Sequence, residues 1–345
     1  MGILRQFSDE LEALAARAAQ AVASIRHGRG SGSATVVAPD GYLLTNAHVV
    51  EGQKTVAVRC ADGWRGTGTI IGRDPATDLA VLRVEAGDLK PLTLRERNDV
   101  RVGELVVAIG NPLGFERSVA IGVVSATGRA FPLSEGRMFD GFVQTDAAIN
   151  PGNSDGRVVG INTAIAAYAQ GIGFAIPAKT AAWIASVLMR RGRVERPRLG
   201  IEAYGIELSG QASSELSALR ALKVVQVGPD GPAHRGGIRG GDLVLAANGN
   251  PVGDVDDLQR AMVFAEDDAI GLAVVREHAR REHVVKPEGK PPKPTLPQPY
   301  RVALHSAASG GGVPMPLKMR SGGGWRGRQT LSSWSMTSPK WGLWL

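Results

Sequence analysis

Three side chains far apart along the chain have the types needed for nucleophilic attack on a carbonyl. They are His48 in "LLTNAHVV", Asp78 in "DPATDLAVLRV" and Ser154 in "NPGNS". An uncharged serine hydroxyl is a poor nucleophile. It becomes a good one when a neutral imidazole takes its proton and a buried carboxylate orients that imidazole. Backbone N–H groups must also receive the oxyanion that forms. In this reading His48 is the base, Asp78 the orienting acid and Ser154 the nucleophile, with the N–H groups of Gly152 and Ser154 as oxyanion donors. Glycine suits position 152, because bare backbone can approach a substrate where a Cβ would intrude. Each residue alone has a plainer reading: a structural histidine, a cap, a turn serine. Their joint order on a strand-rich chain favours the chemical one.

The elements that must position these groups are short and extended. "ATVVAPDGYLLTNAHVV" is an apolar run, a Pro-Asp-Gly turn and a second apolar run, the pattern of a hairpin. "TVAVRC", "GTGTIIG", "LAVLRV", "LVVAIG", "SVAIGVVSATG", "GFVQTDAAI" and "RVVGINTAI" follow at roughly ten-residue intervals. Such spacing predicts a barrel or a sandwich. Residues 1–29 carry Phe7, Leu11, Leu14, Ala18, Val22 and Ile25 at helical spacing, with Asp9 and Glu12 as a capping box. "PAKTAAWIASVLMRRGRV", residues 177–194, predicts a helix ending at Arg-Gly that closes the first domain. A second unit runs from 198 to 286, with "DVDDLQRAMVF" helical.

Composition narrows the function classes. The net charge is +7, but residues 286–345 hold nine Lys or Arg against one acid. The preceding 285 residues hold 31 basic and 32 acidic side chains, so the folded part is near neutral and offers no nucleic-acid footprint. From 287 to 345 the chain is Pro- and Gly-rich without a period, which reads as a disordered tail rather than a basic, aromatic nucleic-acid arm. Cys60 stands alone, so no internal disulfide forms, and it reads as a small strand residue. No motif calls for a metal or cofactor. The first 25 residues are interrupted by Asp9, Glu10 and Glu12, unlike a signal peptide, and no run is long enough to span a membrane; the expected location is cytoplasmic.

The ordered segments "GSGSATVVAPDGYLLTNAHVV", "DPATDLAVLRV", "AIGNPLG", "VAIGVVSATGR", "VQTDAAINPGNS", "VVGINTAI" and "GIGFAIP" resemble the HtrA/Deg (DegP-like) family of serine endopeptidases. The resemblance implies a mostly β chain: a chymotrypsin-like double β-barrel over 30–180, helix and linker over 181–197, then a PDZ domain over 198–286. Carried over by motif, it gives His48, Asp78 and Ser154 as the triad. Ala148 stands six residues before Ser154, where trypsin-like enzymes keep a specificity Asp. With the uncharged Ile161, Asn162 and Thr163 it implies a pocket for small aliphatic side chains. In the PDZ-like part "RLGI" matches the carboxylate-binding loop, with Leu199, Gly200 and Ile201 holding a peptide C-terminus. The resemblance also implies unfolded polypeptide substrates, a role in protein quality control and a homotrimer built through the N-terminal segment.

One departure from the family pattern is local. Family members follow the nucleophile with Gly-Gly-Pro and an apolar strand, whereas here Ser154 runs directly into "DGRVVGIN". About six residues are missing, roughly 20 Å of strand at about 3.3 Å per residue. Losing one oxyanion donor costs about 2.7–4 kcal/mol of barrier, and Asp155 adds a carboxylate beside the developing charge. The alternative to an active endopeptidase is therefore an impaired pseudoprotease that binds peptides without cutting them.

Overall fold

Short apolar runs leave open sheet edges unless the sheet closes on itself. The computed structural model describes residues 2–28, 30–96, 99–110, 118–132, 138–147, 158–165, 171–289 and 342–344. It opens with helix α1 (Ile3–Ala18) and strand β1 (Val22–His27), followed by β2 (Gly30–Ala38), β3 (Tyr42–Thr45), β4 (Thr55–Arg59), β5 (Arg65–Asp74) and β6 (Leu79–Val84). These six strands form a closed barrel in the order β1-β2-β3-β6-β5-β4. The register Thr45↔Ala80 between β3 and β6 sets the residues just after β3 beside those just before β6. That antiparallel pairing places positions 46–48 next to position 78.

The second barrel uses β7 (Leu105–Gly110), β8 (Ser118–Pro132), β9 (Met138–Thr145), β10 (Val158–Ile165) and β11 (Gly173–Pro177), and α2 (Ala178–Arg191) follows. Strand β6 is apolar on both faces for a reason. Ala80, Leu82 and Val84 fill the first barrel. Leu79 and Val81 face a second cluster with Phe142, Ile176, Ile184 and Leu188, which α2 covers. The α2 helix ends as its Arg-Gly signal predicts: Gly192 takes φ +71° and its N–H donates to the Leu188 carbonyl at 2.8 Å.

Residues 199–289 add α3 (Gly210–Leu216), α4 (Pro232–Arg235), α5 (Val255–Phe264) and strands β12 (Ile201–Glu207), β13 (Arg220–Val227), β14 (Leu243–Ala247), β15 (Asn250–Pro251), β16 (Ile270–Arg276) and β17 (Ala279–Val285). Their sheet runs β12-β13-β14-β16-β17, with β15 on β14. Helix α5 is capped by Asp254, whose carboxylate accepts the Asp257 N–H at 2.8 Å.

Of the tail expected from 287 on, residues 290–341 and 345 lie outside the described residues. Strand β18 (Gly342–Trp344) runs parallel between β7 and β10 and closes the second barrel.

Two details differ from the sequence reading at the N-terminus. The helix starts at Ile3 with Gly2 as N-cap, so Asp9 and Glu12 lie inside it and form no capping box. Val22 and Ile25, which continue the helical spacing, belong instead to β1, because β2 and β4 flank that segment and pair with it. The helix packs Leu11, Leu14, Ala15 and Ala18 on Val107 and Ile109 of β7.

Gly41 and Gly63 provide a matched test of close packing. Both sit at left-handed φ, +93° and +94°. A methyl group on Gly41 would run into the Val84 carbonyl oxygen, while one on Gly63 meets open space. Gly63→Ala should cost about 1–2 kcal/mol of backbone strain. Gly41→Ala should cost at least about 2 kcal/mol more. Denaturant melts of the two variants check this, and equal costs would refute the close approach.

Candidate active site and peptide groove

His48 lies in a single 3₁₀ turn, His48–Val50, directly after β3, and Asp78 immediately precedes β6. The two meet. His48 Nδ1 lies 2.8 Å from Asp78 Oδ2 and 3.0 Å from Oδ1. The His48 backbone N–H donates to Oδ1 at 3.0 Å, and Asn46 Nδ2 donates to Oδ2 at 3.2 Å. From the second barrel, the Thr163 hydroxyl on β10 donates to Oδ2 as well. The carboxylate, buried on a residue 9% exposed, therefore receives donors from both barrels. The backbone adds to the fixation: Ala47 N–H donates to the Asp78 carbonyl at 3.0 Å. Asp78 itself holds φ +55°, a left-handed conformation that aspartate tolerates better than most residues.

The geometry dictates the imidazole's chemistry. With Nδ1–H donated to Asp78, the neutral ring keeps its lone pair on Nε2, the state a general base needs. The hydrogen bond to Asp78 raises the His48 pKa above its ordinary 6.5, against the opposing effect of burial, and the charges of Asp78 and Glu51 add to the rise. A raised value means the charged pair supports the fold fully below pH 6.5, and that support fades as pH climbs through the raised value.

Ser154, Gly152 and Ala148 lie outside the described residues. Of the other expected pocket residues, Ile161 is packed in the core beneath α2. Asn162 is buried. The Thr163 hydroxyl donates to Asp78. The roles of Asn46 and Thr163 as holders of the acid were missed in the sequence. Asn46 carried a signal, a buried amide two positions before His48 in an apolar run. Thr163 carried none, because its contact spans 85 residues. Cys60 is buried, which pushes its thiol up to about 11 and leaves it unreactive.

The loop Leu199–Gly200–Ile201 borders a groove of about 400 Å³ with Leu222, Leu258, Gln259 and Met262 along it. Gly200 sits at φ +73°. Its carbonyl accepts the Gly228 N–H at 2.8 Å, and the Leu199 carbonyl accepts the Ala233 N–H at 2.9 Å. In a trans peptide the N–H points opposite to the preceding C=O. The N–H groups of Gly200 and Ile201 are therefore directed away from those partners.

If the carboxylate sets the imidazole, Asp78→Asn should lower the His48 titration midpoint. Histidine NMR across pH 5–9 reads this directly, and an unmoved midpoint would mean the pair does not form in solution.

Comparison with known proteins gives the lineage. The chain matches the trypsin-like peptidase domain over residues 32–161 and the PDZ domain over 223–276. It is 39% identical over 278 residues to the putative serine protease HhoB of Synechocystis, covering 75% of this chain and 66% of that protein. It is 38% identical over 271 residues to a probable periplasmic serine endoprotease, DegP-like, of Pseudomonas savastanoi, covering 75% of this chain and 56% of the relative. The chain thus spans between about half and two thirds of these relatives. Among solved structures it resembles the HtrA-type protease AlgW with tripeptide, at 34% identity and TM-score 0.60, over 81% of this chain and 97% of that one. It also resembles a serine endoprotease from Yersinia pestis, at 31% identity and TM-score 0.54, over 80% and 96%. The relatives named periplasmic overturn the expected cytoplasmic location. A folded domain's composition does not encode its compartment, because the export address is a separate segment. Likeness above 30% that runs through nearly the whole of the solved chains is inheritance: the chain, with its trypsin-like domain followed by a PDZ domain, belongs to the HtrA-type family of serine proteases.

Proposed function

We propose that this chain is a serine endopeptidase that captures unfolded polypeptides through its PDZ domain and cuts them after small aliphatic residues. The observation that carries the reading is the His48–Asp78 pair at 2.8 Å, with the tautomer of a general base. Ser154 is the attacking hydroxyl, and the N–H groups of Gly152 and Ser154 receive the oxyanion. Attack on the scissile carbonyl passes the serine proton to His48 Nε2. The imidazolium then returns it to the leaving amine, and water repeats the cycle on the acyl-enzyme. Asp78 keeps the ring oriented and does not itself take the proton. Ala148 and the uncharged start of β10 favour small aliphatic side chains before the cut.

The groove beside Leu199–Ile201 accepts a peptide C-terminus. A carboxylate is held by the directed N–H groups, the last side chain enters among Leu222, Leu258 and Met262, and the backbone adds along β12. Exposed Ile3 and Leu4 of α1 support assembly through the N-terminal segment into a trimer.

One observation favours a second reading. Ser154 is only four residues before β10, which begins at Val158, so the strand that follows the nucleophile in the family is missing. A chain that cannot hold its oxyanion donors would bind peptides and not cleave them.

A fluorophosphonate probe separates the two. An active site should be labelled in the parent chain and not in Ser154→Ala, and Ser154→Ala should lose at least about 10³-fold in kcat/KM. No labelling of the parent would leave the binding reading. For the groove, C-terminal amidation of an aliphatic-ended peptide should weaken binding at least about 10-fold by calorimetry, and an unchanged Kd would refute carboxylate capture.

A further inference from the structure

Helix α5 has two occupied faces. One borders the peptide groove through Val255, Leu258, Gln259 and Met262. The other clasps α2, the helix that covers the peptidase core. There Trp183 Nε1 donates to Asp256 Oδ1 at 3.0 Å and lies 3.1 Å from Oδ2. The Thr180 hydroxyl lies 2.9 Å from Oδ2. Val263 of α5 joins the core cluster around α2. The Phe264 ring meets Trp183 edge-on at 6.4 Å, and the Arg190 guanidinium lies over the Phe264 ring at 5.4 Å.

We propose that this seam is a proton-gated latch: protonation of Asp256 tightens the clasp of the groove helix on the peptidase domain, and ionisation loosens it.

The geometry satisfies the neutral acid completely. A protonated Oδ2 donates to the Thr180 hydroxyl while Oδ1 still accepts from Trp183, so no contact is lost and Asp256 itself carries no charge. The ionised form keeps both donors but holds its charge in a half-buried seam, partly stripped of water. Neighbouring charges do not relieve it well. From α2, Lys179 faces the seam, yet its Nζ is engaged by Asp257 at 2.6 Å and Asp254 at 3.5 Å. Arg220 of β13 reaches Asp254, and Arg260 of α5 reaches Asp257. From β12, Glu202 and Glu207 are exposed, and the Gly141–Thr145 part of β9 has no charged side chain. Desolvation pushes Asp256 up to about 6; Lys179 and the hydrogen bonds from Thr180 and Trp183 pull it down, and Asp254 pushes it further up, so burial outweighs the donors.

The sign follows from the raised value. The docked state holds the proton more tightly than the released one, so docking is strongest below the ordinary 3.8 and weakens as pH rises through about 6. That interval corresponds to about a 100-fold change in the docking equilibrium. The latch depends on the contact between the helices and not on peptidase activity.

Hydrogen exchange in the full chain tests it, with rates corrected for the intrinsic effect of pH. Protection of residues 254–264 should fall by about 10–100-fold between pH 4.5 and 7 in the parent. It should stay high and flat in Asp256→Asn, whose amide reproduces the neutral acid's contacts. β16 should hold its protection throughout. Lys179→Met, read by its midpoint alone, should titrate at higher pH than the parent. Equal profiles for the parent and Asp256→Asn would overturn the latch, as would a parallel loss in β16 or an unmoved midpoint in Lys179→Met.

Discussion

The site depends on one carboxylate being held from several sides at once. Asp78 takes hydrogen bonds from the His48 ring, the His48 backbone, Asn46 and Thr163. Burying such a group without partners would cost several kcal/mol, and charge-assisted donors offset that cost. The arrangement follows from strand order. Because β3 and β6 pair antiparallel, the loop after one and the residue before the other must come together. Because β10 belongs to the second barrel, the Thr163 contact makes the acid a bridge between barrels. Imidazole orientation is thus a property of how two barrels meet.

The start of β10 is fixed by a different route. Val158 N–H donates to the Thr93 carbonyl at 3.0 Å, and Arg95 N–H donates to the Val158 carbonyl at 2.9 Å. The connection between barrels therefore anchors the strand just downstream of Ser154. On the other edge, Gly342–Trp344 pairs with both β10 and β7. A three-residue parallel strand supplies fewer hydrogen bonds than a full antiparallel one, but it covers two edges that would otherwise be open.

A strand-rich barrel or sandwich was legible because it rests on local signals repeated many times, and the ordered motifs that resemble the HtrA/Deg family made it a double barrel followed by a PDZ domain. Alternating runs, the Pro-Asp-Gly turn before Tyr42 and the Arg-Gly end of α2 all act within a few residues. His48 and Asp78 were legible because their neighbours in sequence form a motif. What local pattern could not carry was the choice between helix and strand at Val22–Ile25. There the helical spacing continues, but β2 and β4 offer hydrogen bonds along both edges. Nor could it show Thr163 on the acid, since nothing near Thr163 in sequence points to Asp78. The expectation of a cytoplasmic protein failed for another reason: location is not a consequence of packing.

Helix α5 shows how one element can couple two domains without a large interface. An amphipathic helix needs only one apolar stripe to hold its own sheet. Here Leu258 and Met262 serve that purpose in the PDZ core. Val263 belongs to the cluster around α2, and Asp256 is bonded to Trp183 and Thr180 of that helix. The helix therefore cannot tilt toward or away from the groove without disturbing one of these contacts. α2 in turn packs against β5, β6 and β10, the last two leading directly to Asp78 and Thr163. Any force on the groove wall thus meets packed side chains and two polar joints between α5 and α2, the Asp256 carboxyl with Trp183 and Thr180 and the Lys179–Asp257 ion pair.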